Sequence, residues 1–179
     1  MKPPQDPKAT TSNAGSTNGP GRLALFRELA AHHSSVNPRP GKRVLLVDDD
    51  FTVRESLSDV LVAEGYAVIP AENGQQALDL AARLPVDLAL LDLNMPVKNG
   101  WDTFERLTAE HPLIPIIIAT ARPNQLFTAL NAGVGALMEK PMDIPALIRT
   151  MEELLVETGE QRLARLAGKI TEFHYKPAS

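Results

Sequence analysis

Six side chains with chemical potential sit just after short apolar runs. Asp48, Asp49 and Asp50 follow RVLLV, Asp92 follows DLALL, Thr120 follows IIIA, and Lys140 follows GALME. Carboxylates brought together repel one another and raise each other's pKa. A hard divalent cation with oxygen ligands removes that conflict. Mg²⁺ takes one or two protein carboxylates, keeps several waters and bridges to a phosphate. A lysine ammonium nearby acts as a point charge for a phosphoryl oxygen. A threonine hydroxyl can hydrogen-bond another, and a small neighbour such as Ala121 leaves room for the group to enter. Phosphoryl transfer needs little beyond such positioning and charge neutralisation. Each residue also has an ordinary reading. Asp50 can cap a helix, Asp92 can start a turn into Asn94-Met95-Pro96, Thr120 can be structural, and Lys140 before Pro141 can be solvated. Their shared position, each at the end of an apolar run, favours one site.

The elements that must position these groups alternate. Strands are expected over 43–47, 66–70, 87–91, 114–120 and 135–139. Helices are expected over 51–64, 75–84, 101–110, 124–132 and 144–158. In the first helix Val53, Leu57, Val60 and Leu61 share a face, and Gly65 ends it. Asn73 caps the second. Apolar runs without polar alternation indicate strands covered on both faces, hence an α/β fold with a parallel sheet. Reactive groups in such sheets gather beyond the C-terminal ends of the strands.

Composition narrows the function classes. The 179 residues contain no cysteine, which excludes disulfides, thiolate metal sites and thiol nucleophiles. Residues 1–40 carry net charge +3, residues 41–145 net −7, and residues 146–179 are balanced. No basic stripe suggests a nucleic-acid partner. No apolar run is long enough to span a bilayer, and a cytoplasmic location is expected. Residues 1–21, rich in Pro, Gly, Ser, Thr and Asn, are expected to be disordered. Leu25, Phe26 and Leu29 suit a short amphipathic helix over 22–33, and a linker follows to residue 41. His32 and His33 read as a solvated pair. Leu163, Leu166 and Ile170 share a helical face over 160–170. That segment either lengthens the last helix, docks on its own domain or supplies a dimer face.

The text VLLVDDD at 44–50, LLDLNMPVKNG at 90–100, IIIATA at 116–121 and MEKP at 138–141 resembles the receiver domain of bacterial two-component response regulators. The resemblance covers about residues 42–158. It implies a flavodoxin-like fold: a five-stranded parallel sheet of order 2-1-3-4-5 with helices on both faces. Residues 1–41 then form an N-terminal extension and 159–179 a helical C-terminal extension without a DNA-binding domain. The resemblance also implies roles. Asp92 is the phosphoacceptor. Asp49 is the direct Mg²⁺ ligand, Asp48 its acidic partner, and Asp92 and the Asn94 backbone carbonyl complete the metal's protein contacts. Thr120 is the switch hydroxyl, Lys140 contacts the phosphoryl group, and Pro141 is the family's structural proline. Asn94 and Arg122 tune the lifetime of the phosphorylated form through water access. The donor is a phosphohistidine on a sensor histidine kinase or phosphotransfer protein, and the output is an unidentified protein or a homodimer. Such a chain catalyses only its own phosphorylation and dephosphorylation; it is not a metabolic enzyme.

Departures from the family pattern concern the relay. Leu137 stands where an aromatic is usual, Met142 replaces the common Phe, and AGVGAL at 132–137 has an extra Gly135 and no acidic residue. A smaller response to phosphorylation is expected. Two readings remain: a phosphorylatable single-domain response regulator, or a receiver-fold interaction module that acts independently of phosphorylation.

Overall fold

The computed structural model describes residues 41–95, 100–122, 124–169 and 173–178. The expected helix at 22–33, with His32 and His33, lies outside the described residues. Five apolar segments form strands: β1 (Arg43–Val47), β2 (Ala67–Ala71), β3 (Leu88–Asp92), β4 (Ile116–Thr120) and β5 (Ala136–Glu139). They pair in parallel in the expected order β2-β1-β3-β4-β5. β4 starts two residues later than the sequence suggested. Pro115 has no N–H to give a ladder, although its carbonyl accepts from the Ala89 N–H at 3.0 Å.

Five helices alternate with these strands: α1 (Phe51–Ala63), α2 (Gly74–Ala81), α3 (Gly100–Glu110), α4 (Leu126–Ala132) and, after β5, α5 (Ile144–Leu155). Asp50 caps α1 by accepting from the Thr52 and Val53 N–H groups. Gly65, at φ 89°, turns the chain out of α1, and the Tyr66 N–H returns to the Leu61 carbonyl at 3.0 Å. Two apolar layers sandwich the sheet. Leu57 and Leu61 of α1 with Leu147, Met151 and Leu154 of α5 cover one face. Leu78 of α2, Phe104 and Leu107 of α3, and Ala129 of α4 cover the other. β3 and β4 are buried along their whole length, which is why neither alternates polar with apolar residues.

The C-terminal segment departs from expectation. It is not wholly helical, and among the described residues the sheet has six strands. β6 (His174–Lys176) adds in parallel beside β5. Three residues reading HYK carry no apolar run or alternation, so the strand has no sequence signal; the open edge of β5 induces it. The helix before it, α6 (Gly159–Leu166), does not extend α5. Thr158 and Gln161 form a capping box that starts it afresh. Its buried face is not the leucine face: Arg162 and Arg165 are buried, and Leu163 is exposed. Ile170 lies outside the described residues.

Asp87 ties the entry of β3 to that of β1. Its carboxylate accepts from the Arg43 N–H at 2.8 Å, Arg43 Nε at 3.0 Å and Lys42 Nζ at 3.2 Å. Partial burial would raise its pKa, but these donors outweigh burial and hold it at about 2. The folded pKa is depressed, so the stabilisation is complete above the unfolded value of about 3.9 and fades as pH falls toward the folded one. Asp87→Asn is expected to cost about 1 kcal/mol at neutral pH after allowance for solvent screening. In urea denaturation, the gap from wild type should shrink as pH drops from about 4 to about 2.

Candidate functional site

The register brings the reactive groups to one edge. Val47 pairs with both Ala71 and Leu91, Asp92 with Ala119, and Thr120 with Glu139. Asp48, Asp92, Thr120 and Lys140 therefore leave or end adjacent strands at the same height. Lys140 joins them: its Nζ donates to Asp48 Oδ2 at 2.7 Å and to Asp92 Oδ2 at 2.9 Å. The second Asp48 oxygen accepts from the Asp50 N–H, and the second Asp92 oxygen from the Asn94 N–H, each at 2.9 Å. Asp48 and Asp92 are buried, whereas Asp49 is exposed.

Electrostatics follow from this packing. Burial pushes the Asp48 carboxyl above the usual carboxylate range, although Lys140 opposes the rise. Burial alone would depress the Lys140 ammonium, but hydrogen bonds to Asp48 and Asp92 outweigh it and lift its pKa. Carboxylate oxygens of Asp48, Asp49 and Asp92 all lie within 4.8 Å of one another. Three carboxylates against one ammonium leave two negative charges uncompensated. An all-oxygen donor set with that deficit fits Mg²⁺.

Thr120 is fully buried, and its Oγ1 accepts from the Arg122 N–H at 3.0 Å. Arg122 Nε reaches Asn94 Oδ1 at 3.4 Å, so these two side chains meet beside the acidic cluster. The peptide bond between Lys140 and Pro141 is cis. Leu137 is fully buried in the layer that also holds Ala129 and Phe104. Gly100 allows α3 to approach the site, because a Cβ there would lie 2.5 Å from the Asp92 carbonyl oxygen. Trp101, beside it, donates from Nε1 to Gln125 Oε1 at 3.0 Å and meets the Phe104 ring edge-on.

Arg54 was not singled out from sequence. Its Nη1 donates to the Asp48 carbonyl at 2.6 Å, and its guanidinium lies 5.7 Å from the centre of the Phe51 ring. It fixes the backbone that presents Asp48. The available signal was a cation three residues before Leu57 and seven before Leu61, within the apolar stripe of α1.

Residues 44–152 match the family model described as the response regulator receiver domain. The chain belongs to that family. It is 40% identical over 115 residues to the transcriptional regulatory protein CpxR of Escherichia coli K12, covering 63% of this chain and 49% of that protein. It is 37% identical over 119 residues to the response regulator MprA of Mycobacterium sp. strain KMS, covering 65% and 52%. The chain thus matches about half the length of these curated relatives. A CheY-like receiver domain protein from Methanospirillum hungatei superposes with TM-score 0.60 at 31% identity, covering 64% of this chain and 93% of that one. The response regulator TrrA of Thermotoga maritima, solved with Mg²⁺ and beryllofluoride, gives TM-score 0.60 at 29% identity, covering 63% and 98%. Receiver domains bind Mg²⁺ at an acidic cluster of this kind. The expectation that nucleic acid plays no part finds no support in relatives of which one is named a transcriptional regulator. Among the described residues, no helix is long and apolar enough to cross a membrane.

Replacing Lys140 by Met leaves Asp48 and Asp92 facing each other with little solvent. In metal-free buffer the variant is expected to lose about 3 kcal/mol of stability. Thermal unfolding should show Mg²⁺ raising the midpoint more in Lys140→Met than in wild type, because the ion then supplies the missing positive charge.

Proposed function

We propose that the chain accepts a phosphoryl group on Asp92 from a phosphohistidine of a sensor kinase or phosphotransfer protein. The observation that carries this reading is the Lys140 ammonium shared between Asp48 and Asp92 at the strand ends. An Asp92 carboxylate oxygen attacks phosphorus. The P–O bond forms as the P–N bond to the donor imidazole breaks, leaving an acyl phosphate on Asp92 and the imidazole on the donor. Mg²⁺, held by Asp48, Asp49, Asp92 and the Asn94 carbonyl, would neutralise charge on the phosphoryl oxygens. Lys140 leaves the Asp92 carboxylate to pair with one such oxygen. The Thr120 hydroxyl turns to donate to another. Asn94 and Arg122, already in contact, limit the approach of hydrolytic water.

On this reading residues 42–158 are the receiver and work in the cytoplasm, where a kinase presents its phosphohistidine. Output runs through protein–protein contacts. The relatives are about twice as long as the match, so a nucleic-acid-binding partner or segment is compatible with it. The phosphorylation-independent alternative draws on Leu137, an aliphatic side chain with no ring to reorient and no exposed surface.

Intact-mass spectrometry after incubation with Mg²⁺ and acetyl phosphate tests the reading. One phosphoryl adduct is expected on wild type and none on Asp92→Asn. Lys140→Met should slow adduct formation about 100-fold, as for loss of one charge-stabilising group. Adduct on Asp92→Asn would place the acceptor elsewhere.

A further inference from the structure

The described residues beyond α5 attach to the domain in two very different ways. α6 is anchored in the interior. Arg162 Nη1 donates to the Gly133 carbonyl at 2.9 Å, Arg165 Nε reaches the same oxygen at 3.3 Å, and Arg165 also pairs with Glu157. Gly133, at φ 71°, permits the approach, since a Cβ there would sit 2.9 Å from the Arg165 carbonyl oxygen. The strand that follows is held lightly. β6 is three residues long. Phe173 packs, partly buried, against the layer containing Leu137. His174 Nδ1 lies 3.2 Å from Glu153 Oε2 on α5. Tyr175 Oη donates to Glu139 Oε1 at 2.9 Å, and the Ala178 N–H to Glu139 Oε2 at 3.4 Å, both in exposed settings. A short strand with exposed bonds belongs to the part of a structure that opens first.

Glu139, which receives two of these bonds, directly precedes Lys140. One residue holds the C-terminal strand; the next holds Asp48 and Asp92. Glu139 is also the register partner of Thr120, and the Lys140 N–H donates to the Thr120 carbonyl at 2.9 Å. The end of β5 therefore answers to charge at Asp92 on one side and carries the strand's fastening on the other.

We propose that Phe173–Ala178 is a clasp on the β5 edge, and that a phosphoryl group on Asp92 releases it while α6 stays anchored. The proposal rests on Asp92 being the phosphoacceptor. Phosphoryl oxygens lie farther out than the carboxylate oxygen Lys140 now holds, so the ammonium follows them, and the pull falls on the end of β5, whose Lys140 N–H is bonded to Thr120. The Tyr175 and Ala178 bonds fit the present position of Glu139 and weaken when it shifts. What release uncovers is an edge that accepts a parallel extended strand, as β6 itself demonstrates.

The test is hydrogen–deuterium exchange on the full chain in Mg²⁺, with and without acetyl phosphate, alongside intact-mass measurement. Peptides covering 173–178 and 136–139 should exchange about fivefold faster in the phosphorylated protein, the lower range of coupling between sites. The peptide covering 159–166 should not change. Asp92→Asn should abolish the response. Tyr175→Phe should raise exchange at 173–178 without phosphate and, because it weakens the closed state, tighten beryllofluoride binding, by no more than the fivefold coupling. A complete adduct with unchanged or slower exchange at 173–178 overturns the clasp and leaves Asp92 as acceptor. Faster exchange that includes α6 overturns it as general loosening. So does a segment 173–178 unprotected before phosphate is added. Absence of any adduct removes the acceptor reading and the clasp together.

Discussion

One ammonium group closes the site. Lys140 reaches back from the end of β5 to carboxylates at the ends of β1 and β3, crossing over β4 between them. Without it, Asp48 and Asp92 would carry like charge in a setting with little water, and the strand ends would splay or the carboxyls would take up protons. The parallel sheet supplies the rest. Its register puts strand exits at one level, and its two apolar layers keep them there. The arrangement stays acidic even so, since a single lysine does not offset three aspartates. Stability and chemistry therefore share the same negative excess: the two uncompensated charges that strain the unliganded site are the ones a divalent cation would neutralise.

Much of this was legible in the sequence. Apolar runs ending in Asp, Thr or Lys gave the strands, their order along the chain and the reactive edge. Gly65 and Asn73 marked helix boundaries because their roles are local. Asp50 proved to be a cap. What stayed hidden depends on contacts between distant segments. Arg54 looks like a surface cation until the Asp48 carbonyl lies above it. α6 shows the same inversion. Helical periodicity placed its leucines on one face and left open what that face meets; the buried residues are its arginines, because the Gly133 carbonyl at the end of α4 accepts from both. β6 follows an edge rather than a pattern.

The segment beyond α5 also changes how the relay from the site must be viewed. Leu137 has no ring, while Phe173 of the C-terminal segment brings an aromatic side chain to the same apolar layer. Any motion of β5 is therefore constrained on its outer side by residues distant in sequence. The sheet edge and the acidic site meet at the neighbours Glu139 and Lys140.

The direction of β6 has a topological result. α5 runs from the reactive edge toward the opposite end of the sheet. A chain stopping there would leave the domain far from Asp92. The parallel strand carries the polypeptide back, and Ala178 comes to lie against Glu139, one residue from Lys140. The route out of the domain has moved from the remote pole to the reactive one. Ala178 thereby becomes a neighbour of the acidic cluster, on the side of the sheet where the strand ends meet.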